Sequence, residues 1–408
     1  MSRNGSWLRA VAIFVMLNLA SKAPAGPEYT VTDLGTLGGC SAYGSTVSNG
    51  GQVLGSVWGA DGTWWDVLWA PADGVTDLRT ILPEGSTALD INDAGDILFL
   101  TRSGAGGENL SYLRRGGATS PECLGLFSGT IVNDRGQVAG SVGRLPRLVV
   151  WDSGRGLREI GALPGGTWAD PTDMSNTGVV VGHANTDEAS GSGRPPGQSL
   201  MTPQFQHRPF LWSQDEGFRD LGTLGGDFAW ATGINDSGQV VGLSYTGNGW
   251  VYRAFLWEEG EGMGDLGALP GFESSEAVAI NNRGQVLGRV SSFGGDGTGF
   301  LWDRDNGMRA LKDLLPAGSP WANAGAVDIN DSGWILVNRE VSTDGEGAPV
   351  VQTGILIPVP EPCAVSLLAL GGLLGFMKNL RSVLSGGASS CVQVREKFAS
   401  LRFLVLSM

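Results

Sequence analysis

Histidine and lysine are nearly missing from this chain: its 408 residues hold two of the first, His183 and His207, and four of the second. Two imidazoles exclude multi-histidine metal centres and most histidine-based acid–base catalysis. Only Lys312 lies in the central body, which leaves little room for an amine nucleophile. With Lys and Arg this scarce the formal net charge is −14. A nucleic-acid groove needs clustered positive charge, so none is expected. Cysteine is also sparse. Cys40 and Cys123 belong to the body, Cys363 and Cys391 to the C-terminal end; the body pair is expected to remain as two lone thiols, with one disulfide outside the cytoplasm as the alternative. Charged residues make up only 17% against 41% hydrophobic ones, the reverse of what disorder requires.

Glycine and tryptophan are plentiful, 66 and 14 residues. The glycines keep no three-residue period, which excludes a collagen-like helix. Abundant Gly and Trp with little Lys favours short strands joined by tight turns over long helices.

The two ends read as addresses. Residues 1–25 carry Arg3 and Arg9, an apolar stretch from Ala10 to Ala20, and Ala23-Pro24-Ala25. That order is an export signal, with cleavage expected between Ala25 and Gly26. Its apolar stretch is too short to cross ~30 Å of hydrocarbon. At the other end, Val359-Pro360-Glu361-Pro362 precedes the apolar run Cys363 to Met377, then Lys378 and Arg381. Positive charges that stop a short apolar helix stay cytoplasmic, which places the 26–358 body outside. The run is marginal for a lasting span and suits transient membrane association through 363–377. The segment 359–381 resembles the PEP-CTERM sorting signal. That resemblance implies an exosortase-type processing protease as partner, and delivery to the cell surface or extracellular matrix. The chain departs from the pattern in running on through 382–408, a tail with no assigned role.

Self-similarity decides the expected fold. An apolar-Asn-Asp-x-Gly turn recurs at Ile91-Asn92-Asp93-Ala94-Gly95, Val132-Asn133-Asp134-Arg135-Gly136, Ile234-Asn235-Asp236-Ser237-Gly238, Ile280-Asn281-Asn282-Arg283-Gly284 and Ile329-Asn330-Asp331-Ser332-Gly333. Two degenerate copies end at Gly51 and Gly178. The seven turn glycines lie 44, 41, 42, 60, 46 and 49 residues apart, a period close to one four-stranded propeller blade. Phe210-Leu211-Trp212, Phe255-Leu256-Trp257 and Phe300-Leu301-Trp302 recur at one strand position and are expected to fill the core between blades. The seventh copy lacks its fourth strand, and Tyr29 to Gly35 matches that missing piece. The expectation is an all-β, seven-bladed β-propeller of four-stranded blades closed by the N-terminal strand. A six-bladed ring and an open β-solenoid are the alternatives.

These units resemble the HAF-repeat family of bacterial extracellular proteins, best at Asn235 to Gly242, Arg253 to Trp257 and Asp220 to Gly226. The resemblance implies a secreted or surface repeat protein and brings no catalytic residues with it.

No residue set in the sequence demands chemistry. Carboxylates fall mostly at repeating turn positions, which marks them as scaffold. Asp303-Arg304-Asp305-Asn306-Gly307 starts like a calcium loop without its later ligands, and Asp61-Gly62-Thr63-Trp64 is a lone turn. His183 and His207 flank Asp187 and Glu188 without metal-binding spacing. No enzyme, cofactor or metal is expected. Binding remains. Trp168, Phe228, Trp230, Phe272 and Trp321 each precede their repeat's turn glycine by a similar interval, so ring closure is expected to gather them on one rim. The functional expectation is an exported, non-enzymatic binding scaffold for extracellular polysaccharide or a surface protein. A carbohydrate-active enzyme on the same fold and a purely structural matrix protein are the alternatives.

Overall fold

The Asn-Asp-x-Gly turn explains why each repeat begins as a hairpin. In the copy at 235–239, Asn235 Oδ1 accepts from the N–H groups of Ser237 and Gln239, and Gly238 takes a φ of 79°. The Asn folds the chain back on itself, and Gly supplies the left-handed turn residue. All seven turn glycines have positive φ, from 68° at Gly136 to 86° at Gly178.

The computed structural model describes residues 28–103, 108–189, 205–247, 250–341 and 350–359. The expected cleavage point Ala25–Gly26, Pro360 to Pro362 of the expected sorting motif, the 363–377 run and the 382–408 tail lie outside them. Val359 is described and is exposed. Among the described residues no helix is long and apolar enough to cross a membrane.

Strand β1 (Tyr29–Gly35) opens the fold, and six units of four antiparallel strands follow. Unit 1 comprises β2 (Ser41–Val47), β3 (Val53–Trp58), β4 (Trp64–Ala70) and β5 (Gly74–Asp77). Unit 2 holds β6–β9 (87–126), unit 3 β10–β13 (128–161), unit 4 β14–β17 (169–220), unit 5 β18–β21 (225–265) and unit 6 β22–β25 (274–310). Unit 7 takes β26 (Gly325–Ile329), β27 (Ile335–Val341) and β28 (Val350–Pro358) from the end of the chain, and β1 from its beginning. Tyr29 pairs with Pro358 and the register runs to Gly35 opposite Thr353, as the match of that segment to a missing fourth strand anticipates.

Five units are separate sheets. Units 4 and 5 merge into one eight-stranded sheet through a single parallel pair, His207 with Phe228. Their joining strands are longer than most, β16 at Phe205–Ser213 and β18 at Gly225–Ile234, and run far enough to meet. The first strand of every unit carries a register shift shortly before its turn, as between Ala231 and Gly233. Such bulges sharpen strand twist and re-aim the inner residues.

Apolar side chains fill the gaps between units. Phe210, Phe255 and Phe300 have no exposed surface, and Trp212 and Trp257 are buried. One cluster joins Val241 and Leu256 of unit 5 to Ile280, Val286 and Phe300 of unit 6. Another joins Val47 and Val53 of unit 1 to Leu336 and Ile355 of unit 7, which closes the array. The repeat's Val-Val-Gly has a steric reason. A Cβ at Gly242 would overlap the Trp230 carbonyl oxygen and lie 2.9 Å from Cε1 of Phe255, so the glycine makes room for the ring that stacks the sheets.

Candidate functional site

The seven turns meet at a central channel, and their hydrogen bonds form a closed circle. Asn49 N–H donates to Asp93, Asp93 to Asp134, Asp134 to Asn176 and Asn176 to Asp236. Asp236 donates to Asn282, Asn282 to Asp331, and Asp331 back to Asn49, with all seven distances between 2.6 and 2.9 Å. Behind this circle the turn asparagines reach to the next unit: Asn281 Nδ2 donates to the Asn330 carbonyl, and Asn330 Nδ2 to that of Ser48, each at 2.9 Å.

The side chains of the circle mix amides with acids. The Nδ2 groups of Asn49, Asn176 and Asn282 each bridge two neighbouring carboxylates, for example Asp236 at 3.0 Å and Asp331 at 2.9 Å from Asn282. Amide donors between acids satisfy lone pairs without adding charge. An odd ring cannot alternate throughout, and Asp93 and Asp134 are the neighbours left as two acids. The Asp93 carboxyl is pushed up by burial, then pulled back by its bonds to Asn49 and raised again by Asp134 and Asp331.

Two residues before the turn, on the innermost strands, sit Asp90, Asp173 and Asp328. Each accepts one N–H from the following residue and one from the next unit: Val132 for Asp90, Ile234 for Asp173, and Val47 for Asp328, at 2.7–2.9 Å. Burial raises Asp90 to about 8 and the other two to about 6, against the pull of those N–H donors. The channel encloses about 200 Å3. Among the described residues, no group of three or more His, Cys, Asp or Glu side chains is placed to hold a metal ion.

The opposite end of the strands is aromatic. Three of the expected rim residues meet there around His207. Trp168 lies 5.2 Å from His207 between ring centroids, Phe228 5.4 Å and Trp230 5.7 Å. His183 adds an edge contact to Trp168 at 5.4 Å. The belt continues from Trp230 through Tyr245 to Tyr252 and to Trp250, which is 45% exposed. Both imidazoles are pushed down to about 4 by burial, so they are neutral at pH 7 and serve as flat packing rings.

Phe272 and Trp321 do not join the belt. Phe272 packs half-buried against the core between units 5 and 6, and Trp321 is 4% exposed in the core of unit 7. Register supplies the reason. Trp230 sits inside its strand, four residues before Ile234, whereas Trp321 precedes its strand, eight residues before Ile329, and folds under the sheet. There its ring lies against the Cα of Gly354, a Cβ on which would come within 2.7 Å, and carries the Arg339 guanidinium 4.3 Å above its centroid. Trp321→Ala should therefore cost about 3–5 kcal/mol, the usual loss for a buried aromatic, read from denaturant unfolding. A midpoint within error of the parent would show that this ring is not core.

The other candidate motifs are turns. Asp303 accepts from the N–H groups of Asp305 and Asn306, and Asp61 from that of Thr63. Cys40 and Cys123 are exposed, separate thiols. His183 and His207 lie on paired strands, and the side chains of Asp187 and Glu188 fall outside the description.

Sequence reasoning missed a second aromatic group in unit 1. Tyr43, Trp58 and Trp64 stand at the strand positions of Trp230, Tyr245 and Tyr252 in unit 5. Trp58 and Trp64 face each other across the β3–β4 pair, five residues from Val53 and Trp69, as Tyr245 and Tyr252 do from Val240 and Trp257. Reading the middle hairpin of each repeat, and not only the loops before it, would have found them.

No family model matches the chain, and no curated protein does. Solved structures of similar shape include the β-propeller domain of the Trilobed protease from Pyrococcus furiosus, with TM-score 0.49 and 11% identity over 77% of this chain and 93% of that one. Virginiamycin B lyase from Staphylococcus aureus gives TM-score 0.48 and 12% identity, covering 81% of this chain and 100% of the lyase. These likenesses concern the β-propeller fold alone.

Proposed function

We propose that the chain is an exported, non-enzymatic binding scaffold of the cell surface or extracellular matrix, holding polysaccharide on the aromatic end of its strands. The export and sorting segments support delivery outside the cell by way of an exosortase-type protease. The observation that carries the binding reading is the belt through His207, which brings Trp168 and Trp230 from two units together and reaches the surface at Trp250. Indole faces suit the apolar faces of sugar rings, and neutral imidazoles behind them add no charge. Each stacked sugar contributes about 1 kcal/mol, so single-site affinity is weak and retention comes from many copies on one polymer. A glycan array probed with chain displayed on beads tests this. The parent should bind a polysaccharide, and Trp230→Ala with Trp250→Ala should lower its signal at least several-fold while the circular dichroism spectrum is kept. Equal signal from the double variant, or no signal from the parent on any polysaccharide, would refute the reading.

A further inference from the structure

Unit 1 carries a site of its own. Trp64 is 55% exposed and Tyr43 43%, and their rings lie 5.7 Å apart. Trp58 also packs against Trp64 at 5.2 Å between centroids, in a tilted contact, so the exposed indole has two aromatic neighbours that hold it in place. Beside it opens a cleft of about 260 Å3, walled by Trp65, Arg79 and Leu82 and closed by the Pro83–Ser86 turn between units 1 and 2. A volume of that order accommodates one sugar ring and its hydroxyls.

The polar groups of the cleft divide into used and unused. Asp66 accepts from Ser56 and from the Ala88 N–H, and Asp77 chelates Arg79 through Nε and Nη2. The Arg79 guanidinium also covers Trp65, 4.2 Å from its centroid, which takes that indole out of play. Two groups remain. The buried Ser86 Oγ has no hydrogen-bond partner among the described residues, and the exposed Glu84 lines the same opening. A buried hydroxyl without a partner carries a desolvation cost that a ligand hydroxyl would remove.

We infer that the Trp64 platform and this cleft form a binding subsite for a neutral pyranose of a polysaccharide, independent of the belt in units 4 and 5. The sugar's apolar face stacks on Trp64, and its hydroxyls donate to Glu84 and exchange hydrogen bonds with Ser86. Charge selects the class. Asp66 and Glu84 line the cleft, Arg79 is the one cation among its described lining residues and is already paired with Asp77, and the whole chain carries −14. A polyuronate would meet repulsion there, whereas a neutral polymer would not.

Native electrophoresis through gels cast with laminarin, a neutral β-glucan, or with polygalacturonate tests the assignment. The purified chain should be retarded by laminarin and run unchanged in polygalacturonate. Trp64→Ala should lose at least five-fold in apparent affinity for laminarin, and Ser86→Ala two- to three-fold, at unaltered melting temperature. If Trp64→Ala melts early, Glu84→Gln, whose side chain is exposed, reads the same cleft and should weaken retardation two- to three-fold. Unchanged affinity of the folded unit 1 variants, stronger retardation by polygalacturonate, or no retardation by laminarin would overturn the proposal. Loss in the Trp230 and Trp250 variants with none in Trp64→Ala would leave the belt standing and remove this site; the converse would do the opposite.

Discussion

Removing residues 28–35 should cost at least about 3 kcal/mol and expose the chain to association, because it takes away the outer strand of unit 7. Tyr29 alone accounts for that minimum: it is 4% exposed, packs with Leu311, Leu314, Trp321 and Leu356, and a lost buried aromatic costs about that much. Its phenol is pushed up to about 12, chiefly by burial, which marks how little water reaches it. The truncation also cuts the bond from Glu28 N–H to the Leu314 carbonyl and the Glu28–Arg309 ion pair, and leaves β28 as a bare strand edge. Bare edges template pairing between molecules. Light scattering should show oligomers of the truncated chain where the parent is dispersed, and denaturant midpoints should fall. A truncated chain as stable and dispersed as the parent would mean that β1 is an accessory strand.

The channel acids give the second expectation. A carboxyl whose folded pKa is raised above its unfolded value lends stability below the unfolded pKa and loses it as pH rises through the folded one. Asp90, raised to about 8, should thus make the fold less stable from pH 6.5 to 8.5, by about 2 kcal/mol from the linkage relation. Asp90 dominates that window. Asp173 and Asp328 complete most of their loss lower, near 6. His183 and His207 act in the opposite direction and offset part of the slope near pH 6.5, because their depressed folded pKa removes stability as pH falls from about 7.5 toward 4. Asp90→Asn should flatten the upper window, at a constant cost of about 1–2 kcal/mol for the acceptor it withdraws from Ile91 or Val132. Urea midpoints at pH 6.5 and 8.5 decide the matter. A parent that gains stability across the interval, or a variant that keeps the parent's slope, would contradict the pKa assignment.

The fold was legible because its turn chemistry is local. Asn and Gly at fixed spacing can be read residue by residue, and the N-terminal strand could be placed because Asp33-Leu34-Gly35 copies the end of a repeat. The circle was not legible. The copies carrying Asn49 and Asn176 look degenerate in sequence and Asn282 reads as one more regular turn residue, yet the amides of all three separate carboxylates that would otherwise crowd the channel. Nor could spacing from the turn glycine separate Trp230 from Trp321, since that interval ignores where the strand begins. The merger of units 4 and 5 depends on two strands growing long enough to touch, which no single repeat reveals.

Hydrogen exchange of the chain with and without a neutral polysaccharide tests most directly the claim that binding lies on the aromatic end, away from the Asn–Asp circle. Added protection should fall on peptides covering 56–66, 225–231 and 243–247, at the strand ends far from the turns. Protection confined to the turns at 48–51, 92–95 and 330–333 would place the ligand at the channel mouth and contradict the account.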